Sequence, residues 1–378
     1  MVSYNANISP DQILLLKAAL LPAPEALEYW QKWKIGQGLT DSEIIQDKKI
    51  LERIFDPLDR GSYRLMPLVY RNLEATNDPI VKRMRGIYRH SWMRNQQQLH
   101  WYGKVVGVLH AAGIETMCIK GLAMSLLYYD DLGGRYMNDI DVLVPYEERQ
   151  HAMQALLTSS LGLWMEPFDY HMQPYYHGTH FHSENGFNLD LHHHLMGYNL
   201  AKDLDAIFWQ SSNPIKVKHD LPGSTLSPTH QIFHNIAHGN APHIEESPLR
   251  WIADCYVIYT NHTIDWTEIL QLAVKFRLVW PVQDGMRLLI KEFGLILPKA
   301  VRQTLEALVP SAEEVAFRHF LYSTLYDRGT PRKYYLRSRY EHNLYFKQYT
   351  GQAFWPWFGR KSLARGRAML ATAPIRQL

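Results

Sequence analysis

The sequence predicts an α+β protein in which a small mixed β-sheet is embedded between helical N- and C-terminal regions. Three observations carry this reading. Hydrophobic spacing is helical up to about Ala112, turns strand-like from Ile114, and returns to helical beyond about Ser227. The stretch from Ile114 to Val144 reads in the order strand, helix, strand. Asn185-Gly186, between two alternating segments, is the strongest short-range hairpin signal in the chain. Four regions follow: a helical one over 1–112, an α/β core over 113–226, a second helical one over 227–326 and a basic, aromatic-rich tail over 327–378.

Two capping boxes mark helix starts near the N-terminus, Ser9 with Gln12 (helped by Pro10) and Thr40 with Glu43. After the second, Ile44, Leu51, Ile54 and Phe55 fall on one helical face. A long helical pattern runs from about Ile80 and stops at Gly113, a C-cap residue. Next come a strand over 114–119, a helix over 122–129, the loop DDLGGRYMN with its flexible Gly133-Gly134 step, and a strand over 139–144 ended by Pro145. Another helix follows over 147–160, and then THFHS and FNLDLHHHL form the arms of the hairpin. Helical patterns return in HQIFHNIAHG, LRWIADCYVIYTNH and DWTEILQLAVKF. No internal repeat is present.

With 378 residues, 46% hydrophobic and 20% charged, the composition is that of a soluble globular protein. No apolar run approaches the roughly 18 residues of a spanning helix, so no transmembrane segment is expected. The start, MVSYNANISPD, has neither a basic nor an apolar leader region, and the expected location is cytoplasmic. Cys118 and Cys255 sit in apolar surroundings and read as buried thiols. Net charge is +3 but uneven: from Arg328 onward eleven Lys or Arg face the single acid Glu341, about +10, leaving about −7 for the preceding residues. Aromatics interleave with these cations, among them Tyr334, Tyr335, Phe346, Phe354, Trp355, Trp357 and Phe358. Two readings stand for the tail: an anionic partner such as nucleic acid, a membrane surface or a phosphorylated protein, or a basic face packed on the body through its aromatics.

The chemistry concentrates in RYMNDIDVLVP. Side chains alternate along a strand, so Asp139 and Asp141 share a face while Ile140 and Val142 face the core. Two adjacent carboxylates repel unless a cation lies between them, and hard oxygen ligands suit Mg²⁺ or Mn²⁺. Asp190, in FNLDLHHHL, shares its face with Asn188 and His192, and adds a third carboxylate if the two strands are neighbours. Upstream, Lys120-Gly121 between a strand and a helix offers backbone N–H groups and an ammonium to a phosphate. Arg135 is either a bidentate phosphate contact or an ion-pair partner of Asp130 or Asp131.

These residues, in IKGLAMSLLYYDDLGGRYMNDIDVLVP followed by NLDLHHHL, resemble the uncharacterised nucleotidyltransferase family of the polymerase beta-like superfamily. Its Lys-Gly step, its Arg before an Asp-x-Asp strand and its later Asp followed by Leu-His fall here on Lys120, Gly121, Arg135, Asp139, Asp141, Asp190 and His192. Where the wider superfamily has Gly-Ser or Gly-Gly, this chain has Gly121-Leu122. The resemblance spans roughly residues 10 to 300 and leaves the tail outside it. It implies a transferase with a nucleotidyltransferase core, Mg²⁺ or Mn²⁺ held by Asp139, Asp141 and Asp190, and a nucleoside triphosphate donor such as ATP. Lys120, Gly121, Arg135 and His192 then meet the donor. The acceptor, whether small molecule, peptide or protein, is not named by it.

The nineteen histidines cluster, and His230, His234 and His238 fall on one helical face that permits a two-histidine metal site. His192 is the better site candidate, touching phosphate or orienting Asp190. Asp254 reads as the helical partner of Arg250. Two further functions remain open at this stage: a glycosyl or phosphoryl transferase using a nucleotide-linked donor on the same metal site, and a non-catalytic nucleic-acid or protein-binding module built on the basic tail.

Overall fold

Helix starts near the N-terminus are set by local side-chain acceptors. In the computed structural model, which describes residues 8–39, 49–197, 202–217, 221–240, 249–323, 330–347, 351–371 and 373–376, α1 (Pro10–Leu20) carries the first capping box in full. Ser9 Oγ accepts from the Gln12 amide at 3.2 Å and Gln12 Oε1 accepts from the Ser9 amide at 2.9 Å. The second box, Thr40 with Glu43, lies outside the described residues. There follow α2 (Ala23–Gly36), α3 (Ile50–Phe55), α4 (Arg60–Leu73), capped by Asp59, and α5 (Pro79–Arg83), capped by Asp78. The long helix is α6 (Arg85–Ala111), not one helix from Ile80: the Asp78 cap closes a separate short turn and Met84 breaks it from α6. Gly113, at φ +76°, ends α6 in the left-handed conformation that the sequence signalled.

The sheet then assembles from β1 (Met117–Cys118), α7 (Lys120–Leu127), β2 (Ile140–Leu143), α8 (Arg149–Thr158), β3 (Leu163–Trp164), α9 (Pro167–Met172), β4 (Gly178–Ser183) and β5 (Asn188–His192). It is completed by α10 (Lys202–Gln210), β6 (Asn213–Val217) and β7 (Leu221–Thr225). The strand order is β3-β4-β5-β2-β1-β7-β6, with β2/β5 and β1/β7 parallel and the remaining pairs antiparallel. β4 and β5 form the hairpin, turning at Gly186 with φ +72°. β1 is two residues long, not six, because its pairing with β2 and β7 covers only Met117 and Cys118. β6 and β7 carry no strand signal in the sequence, because Pro214, Pro222 and Gly223 disguise them.

One face of the sheet buries Cys118, Ile140, Val142, Leu189 and Leu191 against Val105, Val106 and Leu109 of α6 and Leu156 of α8. On the other face, Met117, Ile119 and Leu143 join a core with the downstream helices α11 (Pro228–Gly239), α12 (Arg250–Asn261), α13 (Trp266–Lys275) and α14 (Val279–Phe293). Cys118 and Cys255 are free, buried and in different clusters. No described helix is long and apolar enough to cross a membrane.

After α15 (Lys299–Ala307) and α16 (Ala312–Ser323), the tail forms α17 (Pro331–Glu341), a π-helical turn (His342–Phe346) and α18 (Phe354–Leu370). Its aromatics dock it. Trp357 is buried among His342, Phe346 and Tyr175, with ring centroids 5.3, 4.9 and 6.3 Å away. The tail's one acid, Glu341, accepts from Arg337 Nε at 2.8 Å and Lys361 Nζ at 3.0 Å. Burial alone raises its pKa, but Lys361 and then Arg337 hold it down at about 2. One side of the tail is thus packed on the body through its aromatics, as the second reading expects.

A carboxylate held below its unfolded value stabilises the fold above that value and loses the contribution as pH falls through the folded one. Docking of the tail is therefore complete at neutral pH and weakens below about pH 4.5. Glu341→Gln strands the buried Lys361 ammonium, a loss of about 3–5 kcal/mol for a broken buried pair. Limited proteolysis at pH 7 should cut within 331–371 faster in this variant than in the parent chain; equal rates would refute the pairing.

Candidate active site on the carboxylate face of the sheet

The parallel register of β2 and β5 places Asp141 directly opposite Asp190, and Leu143 opposite His192. Side-chain alternation puts Asp141, Asp190 and His192 on one face, where one ligand atom from each lies within 4.8 Å of the others. This is the set the fold brings together. Asp139 is outside it: β2 begins at Ile140, and two strand residues displace Asp139 roughly 7 Å along the strand from Asp141. Asp139 is half-buried beside the set, and burial followed by the charge of Asp141 raises its pKa.

Lys120 supplies the countercharge. Its backbone has φ +51°, a left-handed value uncommon for a residue with a Cβ, at the point where β1 passes into α7. Its Nζ lies 2.7 Å from Asp141 Oδ1 and 3.0 Å from His192 Nε2. His192 Nε2 is also 3.0 Å from Asp141 Oδ1. That nitrogen has one role at a time: protonated, it donates to Asp141; deprotonated, it accepts from Lys120 and turns its lone pair to the cation. Burial, then the Lys120 charge, push the His192 pKa down to about 4, so the ring is neutral at pH 7. Burial would raise Asp141, but Lys120 and the bond to His192 hold it well below the usual carboxylate range. Asp190 moves the other way, raised by burial and then by the charge of Asp141.

This arrangement fits a divalent cation. Two carboxylates and a neutral imidazole are a donor set for Mn²⁺ or Mg²⁺, and the Lys120 ammonium is a stand-in cation between two of the three ligands. His192 was expected to touch phosphate or orient Asp190; it is buried against Asp141 and Lys120 instead.

The loop leading into β2 is pinned, not flexible. Asn95 of α6 donates to Arg135 O at 2.7 Å and accepts from the Met137 amide at 3.1 Å. Arg94 donates to the carbonyls of Met137 and Asn138, each at 3.0 Å, and Gln98 to Asn138 O at 2.8 Å. Asp131 takes Arg71 and the Tyr88 hydroxyl, and Gly133 is required because a Cβ there would lie 2.4 Å from the Tyr88 ring. Arg135 pairs with neither Asp130 nor Asp131. Its Nε and Nη2 donate to Asp254 of α12 at 2.8 and 2.7 Å, in a bidentate pair buried at both ends. Asp254 thus belongs to Arg135 and to the Tyr129 hydroxyl, at 2.8 Å, while Arg250 reaches toward Tyr136 O. With two nitrogens committed, Arg135 positions the loop; only Nη1 is left without a hydrogen bond, facing Gly121.

Asn95, Gln98 and Asp254 escape sequence reasoning. The one legible signal was the polar run RNQQQ inside a long helix, since Asn and Gln at buried helical positions need partners.

Histidines surround the cluster. The His177 ring lies 4.9 Å from that of His192, and His180 Nε2 is 3.8 Å from Asp190 Oδ1. A hydrogen bond to Asp169 raises His180 to about 9, so it is a cation at neutral pH. Of the α11 histidines, His230 is spent on Ser211 and Glu268, and His234 stacks on His238 at 5.4 Å. Among the described residues they gather no third metal ligand. A cavity of about 280 Å³ adjoins the cluster, lined by Phe168, Asp169, Tyr176, His177, His180 and, from the tail, Arg337.

The fold is α+β, and its sheet carries carboxylates on adjacent parallel strands. The chain belongs to the family described as uncharacterised nucleotidyltransferase, which it matches over residues 62–294. Membership implies a transferase acting on a nucleotide. A solved structure, an antigenic nucleotidyltransferase-like protein from Paracoccidioides brasiliensis, is similar at 12% identity over 60% of this chain and 94% of that one, with a TM-score of 0.33. No curated protein matches the chain.

Asp254→Ala leaves the Arg135 guanidinium buried and unpaired and is expected to cost about 3–5 kcal/mol. Urea unfolding of the variant and parent measures this; a loss below about 1 kcal/mol, the range of an exposed pair, would show that the contact does not hold the loop.

Proposed function

We propose that the protein is a Mg²⁺- or Mn²⁺-dependent nucleotidyltransferase that moves a nucleotidyl group from a nucleoside triphosphate to a hydroxyl or phosphate of a small acceptor. The observation that carries this reading is the convergence of Asp141, Asp190 and His192 around the Lys120 ammonium on two parallel strands, in a chain of a nucleotidyltransferase family. Asp141, Asp190 and His192 would hold the metal, with Asp139 as the second carboxylate of the strand-end pair. When bound, the ion supplies Lewis-acid polarisation and neutralises phosphate charge. It is common to such sites that catalysis is mostly positioning and electrostatics.

The chain's own groups take the remaining roles. With a metal ion held by the carboxylates, Lys120 would stand beside the donor phosphates as a point charge. The acceptor oxygen attacks the α-phosphorus, its proton passes to Asp190, and pyrophosphate leaves. Asp190 suits this role because its neighbour His180 lines the adjoining cavity. At about 280 Å³ that cavity is at the small end of ligand sites, which favours a small-molecule acceptor. Phe168 and Tyr176, with ring centroids 6.0 Å apart, offer it an aromatic wall.

Calorimetry with Mn²⁺ and ATP, and pyrophosphate release over a panel of triphosphates and acceptors, tests this. Changing both Asp139→Asn and Asp141→Asn should abolish metal-dependent nucleotide binding and turnover. Release of a nucleoside diphosphate instead would mark a nucleotide-linked donor, and nucleotide binding that survives the double change would mark a non-catalytic module. Lys120→Ala separates the lysine's two roles: Mn²⁺ binds more tightly, because the competing ammonium is gone, while triphosphate affinity falls. Weaker Mn²⁺ binding in that variant would sink the stand-in reading.

A further inference from the structure

We propose that the outward face of α18 is an interfacial helix that docks the protein on an anionic lipid surface. One side of α18 is spent on the fold, burying Trp357, Lys361 and Ala368. The other carries Trp355 at 67%, Leu363 at 67%, Met369 at 71% and Leu370 at 84% exposure. These are not scattered. Trp355, Gly359, Leu363, Gly366 and Leu370 follow one another at steps of three or four, a single stripe along the solvent side. A Cβ added at Gly359 or Gly366 meets nothing within 4 Å, so the stripe is open along its length. Single exposed apolar residues need no explanation, but Trp355, Leu363 and Leu370 aligned on one helix face do.

The charges around the stripe choose its occupant. α18 has Arg360, Lys361, Arg365 and Arg367 and no acid; Arg360 and Arg367 are exposed at the edge of the stripe. A further cation stands beside Trp355: Arg339 donates to the Tyr335 hydroxyl at 3.1 Å, and that ring stacks on Trp355 with centroids 6.0 Å apart. In a symmetric contact between two copies these arginines would face each other. Nucleic acid would use the cations and the indole, but would leave Leu363, Met369 and Leu370 in water. An anionic lipid surface uses both kinds of group, alkyl side chains at the acyl boundary and guanidinium groups at the headgroup phosphates, with Trp at the interface. As no described helix is long and apolar enough to span, this one lies in the plane of the surface.

The proposal is independent of nucleotidyl transfer and is tested on the full chain. In sedimentation with vesicles, the protein should bind phosphatidylcholine mixed with phosphatidylglycerol and not phosphatidylcholine alone. Arg360→Gln with Arg367→Gln should weaken binding roughly thirtyfold, at about a kilocalorie per mole for each cation near the surface. Leu363→Glu with Leu370→Glu should abolish it. All four side chains are exposed, so thermal melts of both variants should match the parent. The idea fails if the parent ignores anionic vesicles, or if the leucine variant still binds them. It also fails if light scattering shows a dimer that the leucine changes dissociate, or if the chain prefers RNA and keeps that preference after those changes.

Discussion

The site depends on one buried ion pair between distant parts of the chain. Arg135 lies in the loop that feeds β2, Asp254 lies on α12, and their bidentate contact is closed on both sides. Burying two charges is costly, and only good geometry with additional hydrogen bonds offsets it. Here the Tyr129 hydroxyl satisfies Asp254 further, and the absence of a Cβ at Gly121 makes room for the third guanidinium nitrogen, which a Cβ would approach to 2.9 Å. The Lys120-Gly121 step, the loop and the downstream helix are thereby fixed relative to one another. Asn95, Arg94 and Gln98 hold the same loop from the opposite side through its carbonyls.

With the loop fixed, the sheet register does the rest. Pairing Asp141 with Asp190 across parallel strands sets two like charges side by side, an arrangement a fold tolerates only with cations at hand. Lys120 and the protonated His180 are those cations, one on each carboxylate. The opposite pKa directions of Asp141 and Asp190 express this asymmetry: the ammonium touches one and not the other. Neutral His177, His192 and His234 crowd the same space, their protonation suppressed by burial and by each other or Lys120. The pocket is thus polar but carries fewer charges than its histidine count suggests.

What the sequence revealed, and what it hid, divides by range. The Ser9 cap, the Gly113 stop, the Asn-Gly hairpin and the strand, helix, strand order are local and were legible, as was the alternation that puts Asp190 and His192 on one face of their strand. Asp254 was misread because its partner is 119 residues away, and spacing along one helix offered the nearer Arg250. β6 and β7 escaped because proline and glycine in short strands look like loop, and the rigid tie on Gly133-Gly134 escaped because glycine reads as freedom when it marks close approach of Tyr88. The direct contact of His192 with Asp141 required the register itself.

The far end of the tail has one more consequence. Ile375 exchanges two backbone hydrogen bonds with Met165, at 2.8 and 3.0 Å, just past the short edge strand β3. An unpaired sheet border is a template for other chains, and proteins commonly blunt it with proline or a covering segment. Here β6 carries Pro214 on one border, while Ile375 lies against the other, with Arg376 tied further to Glu184 at 3.0 Å. The segment around Ile375 is thus a guard against edge-to-edge aggregation, and a change that breaks its bridge to Met165 would open that border.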